Sequence, residues 1–267
     1  MKRESAGGAG TADAGDGGSP DGRQPRVAVF RPDDARLAEA IATLESLGVE
    51  PIADPMLAVE PSGDLPREDA GFVVFTSKTG AELVAGEWTP DGATVCAIGE
   101  PTAAALRERE IDVDVVPGTY SSRGLVEALA GRVDGVRLEI ARSDHGSDAL
   151  PAGLWDAGAY VHETVLYRLV RPEDAGESVR LAAVGELDAA LFTSSLTVRH
   201  FLAAADERGL RGEAIEGLND AVVGAIGEPT RETATDAGID VDVVPDTADF
   251  ETLATTAVEA AAPSHRE

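Results

Sequence analysis

Short apolar runs alternate with amphipathic stretches along most of this chain. Val27-Ala28-Val29-Phe30, led by Arg26, is an unbroken apolar run of the kind that a strand buried on both faces needs. From Asp33 to Leu47 the apolar positions change to helical spacing, at Leu37, Ala40, Ile41 and Leu44, and Gly48 supplies a stop. Val49 to Ala53 predicts a second strand. Pro55 and Pro61 bracket Met56 to Glu60 as an extended connector, and a second connector is expected at Glu163 to Leu169, ahead of Pro172.

The pattern is then written twice. Ala97-Ile98-Gly99-Glu100-Pro101-Thr102 returns unchanged 128 residues later as Ala225-Ile226-Gly227-Glu228-Pro229-Thr230. Ile111-Asp112-Val113-Asp114-Val115-Val116-Pro117 returns at the same offset as Ile239 to Pro245, and Phe72 to Ser77 has a weaker echo in Ala189 to Ser194. So long an offset marks a duplicated domain rather than a solenoid or propeller. Each copy reads as a strand ending Phe-Thr-Ser, a helix, a strand ending Ile-Gly, a helix opening at Pro-Thr, a strand ending Val-Val-Pro, and a helix. The expected fold class is α/β: two similar lobes, each a parallel sheet flanked by helices, joined by a two-stranded linker. Because the connectors enclose one copy, lobe one is expected to be discontinuous, 25–55 plus 168–262, with lobe two at 56–167 and a cleft at the hinge. Residues 1–24, mostly Gly, Ala, Asp and Ser, read as a disordered extension.

Charge narrows the class. With 49 acidic against 22 basic residues the formal charge is −27, and Lys2 and Lys78 are the only lysines. Such a surface repels itself unless salt screens it, to a Debye length of about 3 Å at 1 M, which points to a halophilic, salt-rich cytosol. No basic stripe exists to neutralise phosphates, so nucleic acid is not an expected partner. No apolar run approaches the roughly 18 residues of a membrane span, and no apolar segment follows Lys2-Arg3, so a cytoplasmic protein without a membrane partner is expected. Cys96, the single cysteine, sits in the apolar run Thr94 to Ile98 and reads as a buried thiol. His145, His162, His200 and His265 lack ligand spacing, and the sequence has no Gly-x-Gly-x-x-Gly, Walker, Gly-x-Ser-x-Gly or His-Glu-x-x-His motif, so neither metal nor cofactor is expected.

In open α/β sheets ligands sit at the carboxyl ends of the strands, where loops enter helices. Thr76 and Ser77 occupy that place in one copy and Thr193 and Ser194 in the other, while Thr102 and Thr230 follow prolines suited to first helical turns. Their hydroxyls and the neighbouring amides suit carboxylate or phosphate groups, although each of these residues also has the plain role of helix cap. Glu100 and Glu228 oppose an anion there unless they point away. Arg31 after the first strand, Arg142 after the strand Val136 to Ala141, and Lys78 after Ser77 are cations at strand ends in a very acidic chain and read as partners for an anionic ligand, the competing reading being that each balances nearby carboxylates. Tyr167, in the second connector, carries a hydroxyl able to donate a proton and is expected to face the cleft; a packed connector tyrosine is the competing reading.

The opening Val-Phe-Arg-Pro, the Phe-Thr-Ser turns at Phe75 and Phe192, the Ile-Gly-x-x-Thr turns ending at Thr102 and Thr230, Ile140-Ala141-Arg142 and Val165-Leu166-Tyr167 together resemble the uroporphyrinogen-III synthase family. The resemblance spans about Val27 to Ala260. It implies two α/β lobes on a two-stranded linker and a cofactor-free enzyme of tetrapyrrole biosynthesis. That enzyme closes hydroxymethylbilane to uroporphyrinogen III through a spiro intermediate, inverting the last ring and losing water. It further implies Tyr167 as proton donor, and Arg31, Thr76, Ser77, Lys78, Thr102, Arg142, Ser194 and Thr230 as binders of a substrate with eight carboxylates. The expected working form is a monomer with at most transient contact to the enzyme that supplies its substrate. Two other readings compete: a bilobed module that closes on an anionic small molecule without chemistry, and a nucleotide-sugar transferase, for which the lobes are too small.

Overall fold

The computed structural model describes residues 23–84 and 86–262, so the extension read at 1–24 lies, through residue 22, outside the described residues. The chain divides into two units, one made of the residues up to Leu57 and from Pro172 onward, the other of Ala58–Arg171. The first unit opens with β1 (Arg26–Phe30), α1 (Ala35–Ser46) and β2 (Glu50–Ala53). The helix starts two residues later than its apolar spacing suggests, because the Asp34 carboxylate accepts from the Arg36 amide and is the cap.

The second unit contains β3 (Ala58–Pro61), β4 (Phe72–Phe75), α2 (Lys78–Leu83), β5 (Thr94–Ala97), α3 (Glu100–Arg107), α4 (Ser122–Leu129), β6 (Arg137–Ser143), α5 (Ala149–Asp156) and β7 (Tyr160–Val170). Its sheet runs β3-β7-β6-β4-β5, parallel throughout except that β3 lies antiparallel to β7. Both expected connectors thus supply strands, Ala58 pairing with Val170 and Pro61 with Tyr167. All four residues of β4 are buried, as a strand covered on both faces must be. Val73 and Phe75 pack in one layer with Trp88, Leu106 and Tyr167, while Phe72 and Val74 pack in the other with Cys96, Leu125 and Ile140.

The rest of the first unit is α6 (Glu177–Ala183), β8 (Ala189–Phe192), α7 (Ser195–Glu207), α8 (Arg211–Asp220), β9 (Val222–Ala225), α9 (Glu228–Asp236) and α10 (Phe250–Ala261). Its sheet, β2-β1-β8-β9, is parallel throughout. Phe30 and Phe192 stack at 4.5 Å between centroids, and Phe201 of α7 meets both edge-on at 5.6 and 5.8 Å. The other face of the sheet packs Val27, Val29 and Leu191 against Leu37, Leu44 and Leu253.

The expected strands ending Val-Val-Pro do not form as strands. In each copy the run makes one isolated bridge, Cys96 to Val115 and Gly224 to Val243. An aspartate explains the shortening. Asp114 accepts from the Val95 amide at 2.8 Å and Asp242 accepts from the Val223 amide at 2.8 Å, so a side chain takes a donor that a longer ladder would have used. Two residues past each bridge comes a proline, Pro117 or Pro245, which has no amide proton to continue pairing.

A second irregularity matters more. β6 continues two residues beyond the predicted Ala141, and its register against β7 shifts between Arg142, which pairs with Val165, and Ser143, which pairs with Tyr167. Leu166 is the extra residue of this bulge. The bulge resets the alternation of β7, so Leu166 and Tyr167 both join the layer that holds Phe75 and Ala141.

Candidate active site

The carboxyl ends of β4, β6 and β7 surround a cavity of about 250 Å³ lined by Thr76, Ser77, Arg142, Ser143, His145 and Tyr167, among others. Ser77 caps α2 in an extended conformation, its Oγ accepting from the Gly80 amide at 3.0 Å. The same oxygen accepts from the Tyr167 hydroxyl at 3.0 Å. With both acceptances made, the Ser77 proton is the donor left for a ligand. Gly80 makes this approach possible: a Cβ there would stand 3.1 Å from both Leu166 Cδ1 and Ser77 Oγ. Tyr167 itself is 6% exposed and packs in the core, so the competing reading of a packed tyrosine holds for its ring while its hydroxyl reaches the cavity wall.

Arg142 lies inside β6 rather than after it, with its side chain 12% exposed. Its Nε pairs with Glu163 at 2.7 Å and one terminal nitrogen donates to the Ser147 carbonyl at 2.9 Å, which fixes the guanidinium at the cavity. Beside it, His145 Nδ1 meets Asp144 at 2.8 Å, and Asp144 also accepts from the Leu169 amide at 3.0 Å. Burial by itself would raise the Asp144 pKa, but the hydrogen bonds from His145 and Leu169 outweigh it and hold the carboxyl below its ordinary value. Sequence spacing did not single out Ser143 or His145; the signal was present in the Arg142-to-Gly146 segment at a strand end.

The remaining expected binders are placed differently. Lys78 is largely exposed, pairs with Glu82 at 3.3 Å along α2, and is not part of the cavity wall. Thr102 is buried in the first turn of α3 behind Gly99 and Pro101. Glu100 turns onto its own helix, pairing with Arg107 at 2.5 Å, and Glu228 does the same with Arg231, so neither carboxylate need face a ligand at the helix start.

In the first unit, Ser194 caps α7 by accepting from the Thr197 amide at 3.2 Å, and Thr230 is buried in the first turn of α9. Arg31 leaves β1 with its guanidinium 4.5 Å above the Phe250 ring and donates to the Arg36 carbonyl at 3.1 Å. Burial first, and the nearby Arg36 second, lower its pKa from the ordinary value and outweigh the carboxylates of Asp34, Glu39 and Asp249, which act to raise it.

A larger cavity of the second unit, about 500 Å³, lies at the opposite, amino ends of β6 and β7. There the fully buried Glu139 accepts from His162 Nδ1 at 2.9 Å and from the Thr164 hydroxyl. A buried carboxylate opposes an anionic ligand, and no strand-to-helix turn presents amides to that cavity, so size does not make it the better candidate. Among the described residues, no cluster of three or more His, Cys, Asp or Glu is placed to hold a metal ion, and no helix is long and apolar enough to cross a membrane.

A family model described as "HEM4: Uroporphyrinogen-III synthase HemD" matches residues 38–255. The chain belongs to the uroporphyrinogen-III synthase family. A candidate uroporphyrinogen-III synthase of Methanothermobacter thermautotrophicus is 34% identical over 231 residues, covering 80% of this chain and 90% of its own length. One from Archaeoglobus fulgidus is 28% identical over 221 residues, covering 82% and 92%. Two solved uroporphyrinogen-III synthases share the fold. A mutant of the Thermus thermophilus enzyme has a TM-score of 0.60 at 20% identity, over 89% of this chain and 98% of the other. The Helicobacter pylori enzyme has a TM-score of 0.60 at 14% identity, over 89% and 99%.

Proposed function

We propose that this protein converts hydroxymethylbilane to uroporphyrinogen III, closing the macrocycle with loss of water and inversion of the last ring. Family membership supports the reaction, and the hydrogen bond from Tyr167 to Ser77 is the observation that supports the site. Hydroxyls at Thr76, Ser77 and Ser143, with the anchored Arg142, offer donors to substrate carboxylates in the second unit; Arg31, Ser194 and Thr230 offer them in the first. Positioning a flexible chain for ring closure supplies most of the acceleration, because product isomers I and III differ in which pyrrole carbon is joined.

The departing hydroxyl needs one proton. Ser77 gives its proton to that oxygen as Tyr167 gives its own to Ser77, the carbon–oxygen bond breaks, and water leaves. The freed methylene carbon bonds the substituted α-carbon of the last ring to give a spiro intermediate, and the older methylene bond at that carbon breaks. The methylene so released bonds the ring's unsubstituted α-carbon, and the proton lost there restores Tyr167. A phenol hydroxyl is a weak acid, and the role of Tyr167 is assistance to a reaction driven by positioning. The formal charge of −27 supports work in a salt-rich cytosol, as a single chain whose one required partner is its small-molecule substrate.

The test is an isomer assay. Hydroxymethylbilane is generated in high salt with this protein present, the products are oxidised, and the uroporphyrin isomers are separated. Isomer III in excess is the expected outcome. Spontaneous isomer I alone, from folded protein, overturns the reading in favour of a module that binds without chemistry.

A further inference from the structure

Among the positions at which the duplicated copies differ is an exposed one two residues before Ser122 of the candidate cavity. Gly99 and Gly227 hold the same place in their copies, each an extended cap residue ahead of Glu-Pro-Thr with no side-chain cap. A Cβ added to Gly227 would meet nothing within 4 Å. One added to Gly99 would stand 3.0 Å from Cγ of Tyr120, so an aromatic ring lies over this turn in the second unit and not in the first. At the repeat offset the counterpart of Tyr120 is Ala248.

The backbone that carries this ring is tied to the start of α4. Tyr120 stands just before Ser121, whose hydroxyl caps α4 by accepting from the Gly124 amide at 3.0 Å. The Ser121 amide donates to the Thr119 carbonyl at 2.8 Å, and that carbonyl packs so closely on Gly124 that a Cβ there would overlap it. Ile98, the neighbour of Gly99, and Ser122, two residues past Tyr120, line the cavity of Ser77 and Tyr167. Tyr120 is nevertheless 61% exposed, in a chain with three tyrosines and two tryptophans. An exposed aromatic face over a turn whose neighbours line a polar cavity suits a flat, electron-rich ring, which stacks or packs edge-on against it.

We propose that Tyr120 is a substrate-contacting residue that packs against one pyrrole ring, and that Ala248 leaves the first unit without such a platform. This inference rests on the proposed reaction for the identity of the ligand. It makes the two copies unequal: the second unit carries an aromatic platform at this turn and the first does not.

The test uses the full-length protein in high salt with Tyr120→Phe, Tyr120→Leu and Tyr120→Ala, and two measurements. Uroporphyrin III fluorescence anisotropy reads binding without turnover, and the isomer assay reads KM and kcat. Tyr120→Phe should bind as the wild type does. Tyr120→Leu, which keeps apolar bulk over Gly99, and Tyr120→Ala should each weaken binding and raise KM about fivefold, with kcat within about twofold. Equal binding by wild type, Tyr120→Leu and Tyr120→Ala overturns the proposal and leaves the proposed reaction standing. Weakened binding in both variants from a wild type that makes no isomer III supports the contact and sinks the reaction instead.

Discussion

The Tyr167 hydroxyl donates to Ser77 Oγ at 3.0 Å, joining β7 to the α2 cap that follows β4, across the one intervening strand, β6. The contact depends on the bulge at Arg142 and Ser143, since a regular β7 would place Leu166 opposite Ser143. Tyr167→Phe is expected to lower kcat by less than about tenfold, because it removes the group behind the donor and not the donor. Ser77→Gly, which costs a cap only a few tenths of a kcal/mol, should lower kcat at least as much, and Ser77→Thr should restore most of it. Adding Tyr167→Phe to Ser77→Gly should cost nothing further; additive losses would show that the two hydroxyls act separately.

Asp114 and Asp242 each end a sheet by taking an amide at 2.8 Å. Asp114→Ala should destabilise the protein by about 1.5–3 kcal/mol in urea titrations, the usual range for a hydrogen bond to a charged group, and Asp242→Ala should do likewise in the other unit. Asp→Asn at either position keeps an acceptor and should cost less than half as much.

Thr164 gives a fully buried Glu139 one of its donors. Thr164→Val preserves shape while removing that donor and should cost about 1–3 kcal/mol. Adding Glu139→Leu removes the stranded carboxylate as well, so the double variant should be more stable than Thr164→Val alone. A double variant less stable than the single one would refute this account of the cluster.

Two helix caps set a pH dependence. The Asp34 carboxyl is held below its ordinary 3.8 chiefly by the Arg36 side chain, and Asp249 below the same value chiefly by the Thr252 amide. A carboxyl whose pKa is lower folded than unfolded stabilises the fold above 3.8, and loses that contribution as pH falls through the folded value. The melting temperature of an Asp34→Asn, Asp249→Asn double variant should therefore fall less steeply than that of the wild type between about pH 5 and pH 2.

Burial pushes the Cys96 thiol up to about 12, with little thiolate at neutral pH. A thiol reagent at about pH 8 should leave the folded protein unmodified and react with one equivalent after denaturation. Rapid reaction of the folded form would mean that β5 opens readily.

The α/β class was legible because unbroken apolar runs such as Phe72-Val73-Val74-Phe75 leave few choices except a strand buried on both faces. The third strand of each copy misled, since the Val-rich runs carry strand propensity while the aspartate inside each one competes for the ladder. Side-chain commitments were harder to read. Ser77, Thr76, Arg142 and Tyr167 meet at one cavity, whereas Lys78, next in line, follows the competing reading and balances a nearby carboxylate, Glu82, one helical turn on. The bulge beside Tyr167 was equally hidden: it is a property of strand pairing, and the run Val165-Leu166-Tyr167 contains no residue that demands it.

The first unit closes on itself late in synthesis. Arg26, at the start of β1, donates its amide to Asp188 at a separation of 162 residues, immediately ahead of the β1–β8 ladder. The second unit lies wholly within that interval as one continuous segment. At about 5–20 residues per second, one edge of β1 waits on the order of ten seconds for its neighbour to leave the ribosome. A nascent chain stalled just past Arg171 would carry a complete inner module threaded into an unfinished outer one.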